Sequence, residues 1–231
     1  MKAPKTINTI ILVLASITCM AQNESPNKYL TPLTGGLFMP YYFQYEKTPF
    51  MNNDWSVGTI RLKNGDMLDS LKINYDSYKG NLLYLNDRLG RIVVIDNEII
   101  RDFWIVQDPS LDILHGVAHP IKTTGIEPGF VFLLIADTIS LYMEKTKKID
   151  HYNLSYRTDN KLGKFYEETC YFFVMDNKKY NIPKTKRKLA KLFPAYKNDI
   201  LSFIKSKRLS LKDPNQLILV FIEINRLVNN Q

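Results

Sequence analysis

Asp112, His115 and His119 are the side chains whose types and spacing come closest to a reaction centre. Two imidazoles four residues apart share one face of a helix, and a carboxylate beside them completes the two-histidine, one-carboxylate ligand set of a metal-dependent hydrolase. The neighbouring residues oppose that reading. Gly116 and Pro120 interrupt a regular helix, and no Glu follows His115 as a zinc-hydrolase motif requires. No metal and no cofactor are expected. His151, beside Asp150, reads as an isolated surface residue. Cys170 lies in Tyr166-Glu167-Glu168-Thr169-Cys170-Tyr171-Phe172-Phe173-Val174, a strand-like run, and reads as a buried structural thiol, because an activated cysteine needs a base or a helix N-terminus nearby.

Two further sets of residues suit recognition rather than reaction. Tyr41, Tyr42, Tyr45 and Trp55 form an aromatic cluster, a candidate platform for stacking on sugar faces. The alternative is that these rings cover one end of a sheet, the commoner fate of large aromatics. Lys184, Lys186, Arg187, Lys188 and Lys191 form the densest basic cluster, a candidate contact for an anionic surface or polymer, with a solvated helix face as the alternative.

The chain has 231 residues and a formal charge of +8. Lys2 and Lys5, the apolar run from Ile10 to Ile17, and small residues at Cys19 and Ala21 make up the three parts of a secretory signal peptide. Cleavage is expected after Ala21, which leaves 231 − 21 = 210 residues and, with both lysines removed, a charge of +6. Lipidation at Cys19 is the competing reading, but Ser16-Ile17-Thr18 lacks the Gly or Ala required just before a lipidated cysteine. Only Cys170 would remain, so no intrachain disulfide supports the fold. Attraction to anionic lipid headgroups, lipopolysaccharide or acidic glycans is one reading of this charge in an exported protein, and solubility is the alternative.

The elements that must position these residues are mostly strands. Val57 to Lys63, the Asn64-Gly65 turn and Met67 to Tyr75 predict a hairpin, with Ile60 and Leu62 inward on one strand and Met67, Leu71, Ile73 and Tyr75 on the other. Asn81 to Leu85, Arg91 to Ile95 and Ile99 to Val106 extend it to a five-stranded antiparallel meander or a small SH3-like barrel. This stretch resembles the Sm-like and SH3-like barrels, but it carries Ser70 where the Sm pattern has Gly and places Asn81 one residue too far from Asp76. No RNA-binding residue carries over.

Further along, Phe130 to Ile135, Ser140 to Met143, Cys170 to Val174 and Lys179 to Ile182 predict a second, smaller sheet. Three helices follow. The last opens with Asp213 as N-cap, Pro214 at the first helical position and Gln216 placed for a capping box. It carries one apolar stripe through Leu217, Val220, Phe221 and Ile224, and a second face of Ile218, Leu219 and Ile222, a pattern that predicts burial between layers, with a docking surface as the alternative. The expected class is α+β. The expected organisation is a signal peptide over 1–21, an irregular aromatic-rich lead-in over 22–56, the meander or barrel over 57–106, a linker over 107–129, and the second sheet with its helices over 130–231.

Taken together, the Ala21-Gln22 junction, Val57-Gly58-Thr59-Ile60-Arg61-Leu62-Lys63-Asn64-Gly65, Gly129-Phe130-Val131-Phe132-Leu133-Leu134, Tyr171-Phe172-Phe173 and Leu192-Phe193-Pro194 resemble exported β-rich proteins of unknown function from Bacteroidota-type bacteria. The resemblance implies a location in the periplasm, at the outer membrane or outside the cell, and supplies no catalytic residue. With no serine-histidine-aspartate, paired-carboxylate, phosphate-loop or zinc motif in the chain, the expected function is a non-enzymatic cell-envelope scaffold or interaction module. Its expected partners are an envelope protein or an anionic envelope polymer, with at most peripheral membrane contact and no nucleic acid. The alternatives are a glycan-binding module built on the aromatic cluster and the hydrolase of the opening lines.

Overall fold

The computed structural model describes residues 42–106, 113–119, 129–153 and 161–230. They form an α+β structure dominated by one sheet of eleven strands. In chain order these are β1 (Tyr45–Glu46), β2 (Ser56–Leu62), β3 (Met67–Asp76), β4 (Asn81–Asn86), β5 (Arg91–Val94), β6 (Ile100–Val106), β7 (Ile113–Ala118), β8 (Phe130–Ile135), β9 (Ser140–His151), β10 (Gly163–Met175) and β11 (Lys178–Asn181). Across the sheet the order is β5-β4-β3-β2-β6-β7-β8-β9-β10-β1, with β11 paired to β10.

Two expectations change here. The meander runs only through β5, and β6 returns to pair with β2. The second sheet is not separate, because β7 lies inside the expected linker and joins β6 to β8. Its sequence, Ile113-Leu114-His115-Gly116-Val117-Ala118, has a weak alternation interrupted by glycine, and the glycine is what the packing needs. A Cβ at Gly116 would collide with the Phe103 ring.

The β2–β3 hairpin contains a bulge that shifts its inward face. Gly58 pairs with Leu71 but Ile60 pairs with Leu68, so Asp69 and Ser70 together oppose Thr59. Ser70 takes a left-handed backbone with φ 56°. The extra residue turns Leu68 into the core, whereas Met67, expected inward, is 44 % exposed. Leu71, Ile73 and Tyr75 keep the expected side, Leu71 partly buried and the other two fully.

The sheet curls until strands far apart in its order meet. The Tyr75 hydroxyl donates to the Phe130 carbonyl at 3.2 Å and accepts from the Phe130 N–H at 3.1 Å, bringing the end of β3 against the start of β8. Ile60, Leu68, Ile73, Leu82, Phe103, Phe130 and Phe132 fill the enclosed core. Rings meet there edge to face, as between Phe103 and Phe130, whose centroids are 5.0 Å apart.

The helices α1 (Lys186–Lys191), α2 (Lys197–Ser206) and α3 (Pro214–Asn229) cover the same inner side of the sheet farther along. Ile139, Leu141 and Phe173 from the sheet meet Leu189, Ile200, Ile204, Val220, Phe221 and Ile224 from the helices. Asp213 caps α3 by accepting from the Gln216 N–H at 2.9 Å. Gln216 does not close the expected box; it reaches past the cap and accepts from the Ser210 N–H at 2.7 Å. The expected burial of both apolar faces of α3 is corrected too. Leu219 and Ile222 are 48 % and 52 % exposed, because the helix packs through its other stripe.

Candidate functional site

The β3–β4 turn, the start of β8, the middle of β9 and the base of β11 surround a cleft of about 370 Å³. Asp76 shapes the first wall. Its Oδ1 accepts the N–H groups of Tyr78 at 3.0 Å and Lys79 at 2.9 Å, which folds the turn back and sets both side chains at the cleft. Burial pushes the Asp76 carboxyl above its ordinary range, and these N–H bonds offset only part of the effect. The turn is fastened to β9 where the Lys147 N–H donates to the Ser77 carbonyl at 2.9 Å. On the opposite side Gly129 approaches the turn so closely that a Cβ there would stand 2.8 Å from the Tyr75 hydroxyl and 3.1 Å from Gly80 Cα.

Charge in the cleft comes from Lys79, Lys145 and Lys179 against Glu144. Lys179 enters through the β10–β11 turn, where Asp176 and Asn177 both take left-handed backbones as a two-residue hairpin loop requires. Its Nζ lies 4.1 Å from the Phe172 ring centroid, 3.3 Å from His119 Nε2 and 3.6 Å from Glu144 Oε2. His119 is itself stacked on Phe172, with centroids 5.4 Å apart. Lys145 Nζ lies 3.6 Å from Glu167 Oε1. At 3.6 Å an ammonium and a carboxylate attract each other without a hydrogen bond, so these lysines keep donor capacity. Ser77 also lines the cleft, and its buried hydroxyl has no hydrogen-bond partner among the described residues.

The histidines do not form the metal site that helical spacing suggested. His115 lies on strand β7, and Asp112 lies outside the described residues. Four residues along extended chain separate His115 and His119 by about 13 Å, against one turn on a helix. Among the described residues no group of three or more His, Cys, Asp or Glu side chains is placed to hold a metal ion. His115 serves the sheet instead. Its ring stacks on Trp104 with centroids 4.6 Å apart, and its Nε2 is 3.4 Å from Asp102 Oδ2. Arg61 binds the same carboxylate through two hydrogen bonds, Nε to Oδ1 at 2.8 Å and Nη2 to Oδ2. Burial raises the Asp102 carboxyl, but the Arg61 and His115 contacts outweigh it and hold the group below its ordinary range.

The other predicted residues are dispersed. Tyr41 lies outside the described residues. Tyr42 and Tyr45 pack on Phe165, with centroids 5.5 and 5.4 Å away, and Tyr42 also meets Tyr78 edge-on. Trp55 is half-buried just ahead of β2 and makes no ring contact with them. Tyr42 and Tyr45 are thus half-buried by this packing, and Tyr78, 43 % exposed, is an exposed ring beside the cleft. Lys184, Lys186, Arg187, Lys188 and Lys191 are all exposed on and just before α1, which Leu189 and Ala190 anchor. Cys170 is on β10 as expected but exposed, which corrects the buried-thiol reading; its side chain falls on the solvent side of a long strand. His151 is exposed, with Tyr45 edge-on to it.

Tyr78, Lys79, Lys145 and Lys179 were not singled out from the sequence. Each sits in an unremarkable polar stretch, and only the curling of the sheet brings them together. Among the described residues no helix is long and apolar enough to cross a membrane. No protein-family model, curated protein or solved structure matches the chain.

Proposed function

We propose that this is an exported, non-enzymatic interaction module of the cell envelope, in which the curled sheet is the scaffold and the cleft is the recognition site. The observation that supports this reading is the state of the cleft's charged groups. Lys179 is held between Phe172, His119 and Glu144, an arrangement that sets its side chain in place at the cleft. Recognition of charge by preset lysines is binding chemistry. Its counterpart is an envelope protein or an anionic envelope polymer, and the exposed cationic face of α1 adds attraction of the same sign.

Within this reading, β2 to β6 form a small SH3-like barrel built into the larger sheet. The support is the return of β6 to pair with β2, which gives the five strands the neighbour order β6-β2-β3-β4-β5 of such barrels. The α1–α3 segment is then a cap over the open part of the sheet.

Fractionation of cells that express the full chain tests the reading. The protein is expected in the periplasm, at the outer membrane or in the medium, with Gln22 as its first residue. Full-length protein confined to the cytoplasm, its first residues intact, would contradict it.

A further inference from the structure

We infer that the cleft between the β3–β4 turn and β9 binds a carboxylated sugar, a uronic acid unit of an acidic glycan. The inference rests on the proposed recognition role of the cleft and names its ligand class. Size comes first. At about 370 Å³ the cleft falls in the range of small-ligand sites, roughly 300–1,000 Å³.

Charge selects an anion. Three lysines line the cleft against Glu144, and Glu167 stands beside Lys145, which leaves an excess of one positive charge. The acidic neighbours of Lys145 and Lys179 stand at 3.6 Å, too far to use the ammonium protons as hydrogen-bond donors. An incoming carboxylate meets donors already positioned, at little cost in side-chain ordering, because Lys179 is fixed over Phe172.

The remaining walls suit a sugar ring rather than a bare ion. Tyr78 presents an exposed ring at the cleft, where the C–H face of a pyranose can stack. That ring is steadied from behind by Tyr42 and Phe165, with centroids 6.2 and 5.5 Å away. A negative charge for the lysines and an apolar ring face for Tyr78 coincide in an acidic sugar such as a uronate.

Isothermal titration calorimetry on the full-length chain, with glucuronate, glucose and glucose 6-phosphate as probes at low salt, tests this. Glucuronate is expected to bind at least tenfold more tightly than glucose, and glucose 6-phosphate shows whether the site takes a phosphate instead. Lys179→Gln and Tyr78→Ala are each expected to weaken glucuronate about tenfold, the order of one charge-assisted or stacking contact, with circular dichroism showing that each variant is folded. Equal binding of glucose and glucuronate, or preference for the phosphate, overturns the carboxylate assignment while leaving the cleft a recognition site. Failure of all three probes overturns the sugar assignment, and the cellular location of the protein then judges the broader reading separately.

Discussion

Replacing Asn225 with Ala should separate the helical layer from the sheet energetically. Asn225 is buried on α3, and its side chain completes the backbone of Ile139 in the β8–β9 turn. Oδ1 accepts the Ile139 N–H at 2.8 Å, and Nδ2 donates to the Ile139 carbonyl at 2.9 Å and to the Phe221 carbonyl at 3.1 Å. Ile139 is 0 % exposed, so truncation leaves both of its backbone groups without water or another partner. Each orphaned group costs about 1–3 kcal/mol, so the loss should be about 2–6 kcal/mol. The Phe221 carbonyl adds little, because it keeps its helical N–H.

Asn229 supplies the comparison on the same helix. It joins Asp137 at 3.0 Å and Thr138 at 2.8 Å, but these groups are exposed, and Asn229→Ala should cost at most about 1 kcal/mol. Equilibrium urea unfolding followed by tryptophan fluorescence of wild type and both variants measures the contrast. A loss below about 1 kcal/mol for Asn225→Ala, or equal losses for the two, would refute the claim that this amide is the principal polar link between layers.

Four further outcomes follow from the geometry. Ser70→Gly should stabilise the protein by up to about 1 kcal/mol in the same assay, since glycine takes the left-handed bulge without the strain a side chain brings, offset in part by its unfolded-state entropy. Gly116→Ala should destabilise by about 1–3 kcal/mol through collision with Phe103, and Phe103→Leu in the same chain should recover part of that loss, as a double-mutant cycle will show. Asp102 has a folded pKa below its unfolded value, so its contribution is complete above the ordinary carboxylate range and is lost as pH falls through the folded value. Unfolding free energies from pH 6 downward should therefore fall less steeply in Asp102→Asn than in wild type, from a lower starting value. Cys170 is exposed, so a thiol reagent should modify it in the native protein at a rate close to that in denaturant; protection would refute its placement.

How much of this was legible in the sequence differs between local and non-local features. The Asn64-Gly65 hairpin and the Asp213-Pro214 helix start are written in a few adjacent residues, and both occur where their chemistry places them. The bulge was half legible. Ser70 stood out as a departure from glycine in the Sm pattern, yet nothing local said that it would take φ 56° and turn Leu68 rather than Met67 inward. Strand β7 was missed because its alternation is weak, and its glycine, which reads as a break, is demanded by Phe103 on the neighbouring strand. The cleft was illegible for the same reason. Lys79, Lys145 and Lys179 are far apart in the chain, and their meeting depends on the curl that Tyr75 and Phe130 close. The exposed side of α3 shows the opposite error, since an apolar residue states what it prefers to bury and not whether a neighbour exists to bury it.

The central claim is that the cleft is a recognition site used outside the cytoplasm. A photo-crosslinking amino acid in place of Tyr78, activated in intact cells before fractionation, tests it most directly. The account predicts a crosslinked adduct in the envelope fraction that disappears when Lys79 and Lys179 are both changed to Glu, with the uncrosslinked protein still present there. An adduct unaffected by the charge reversals, or one found only in the cytoplasm, would contradict it.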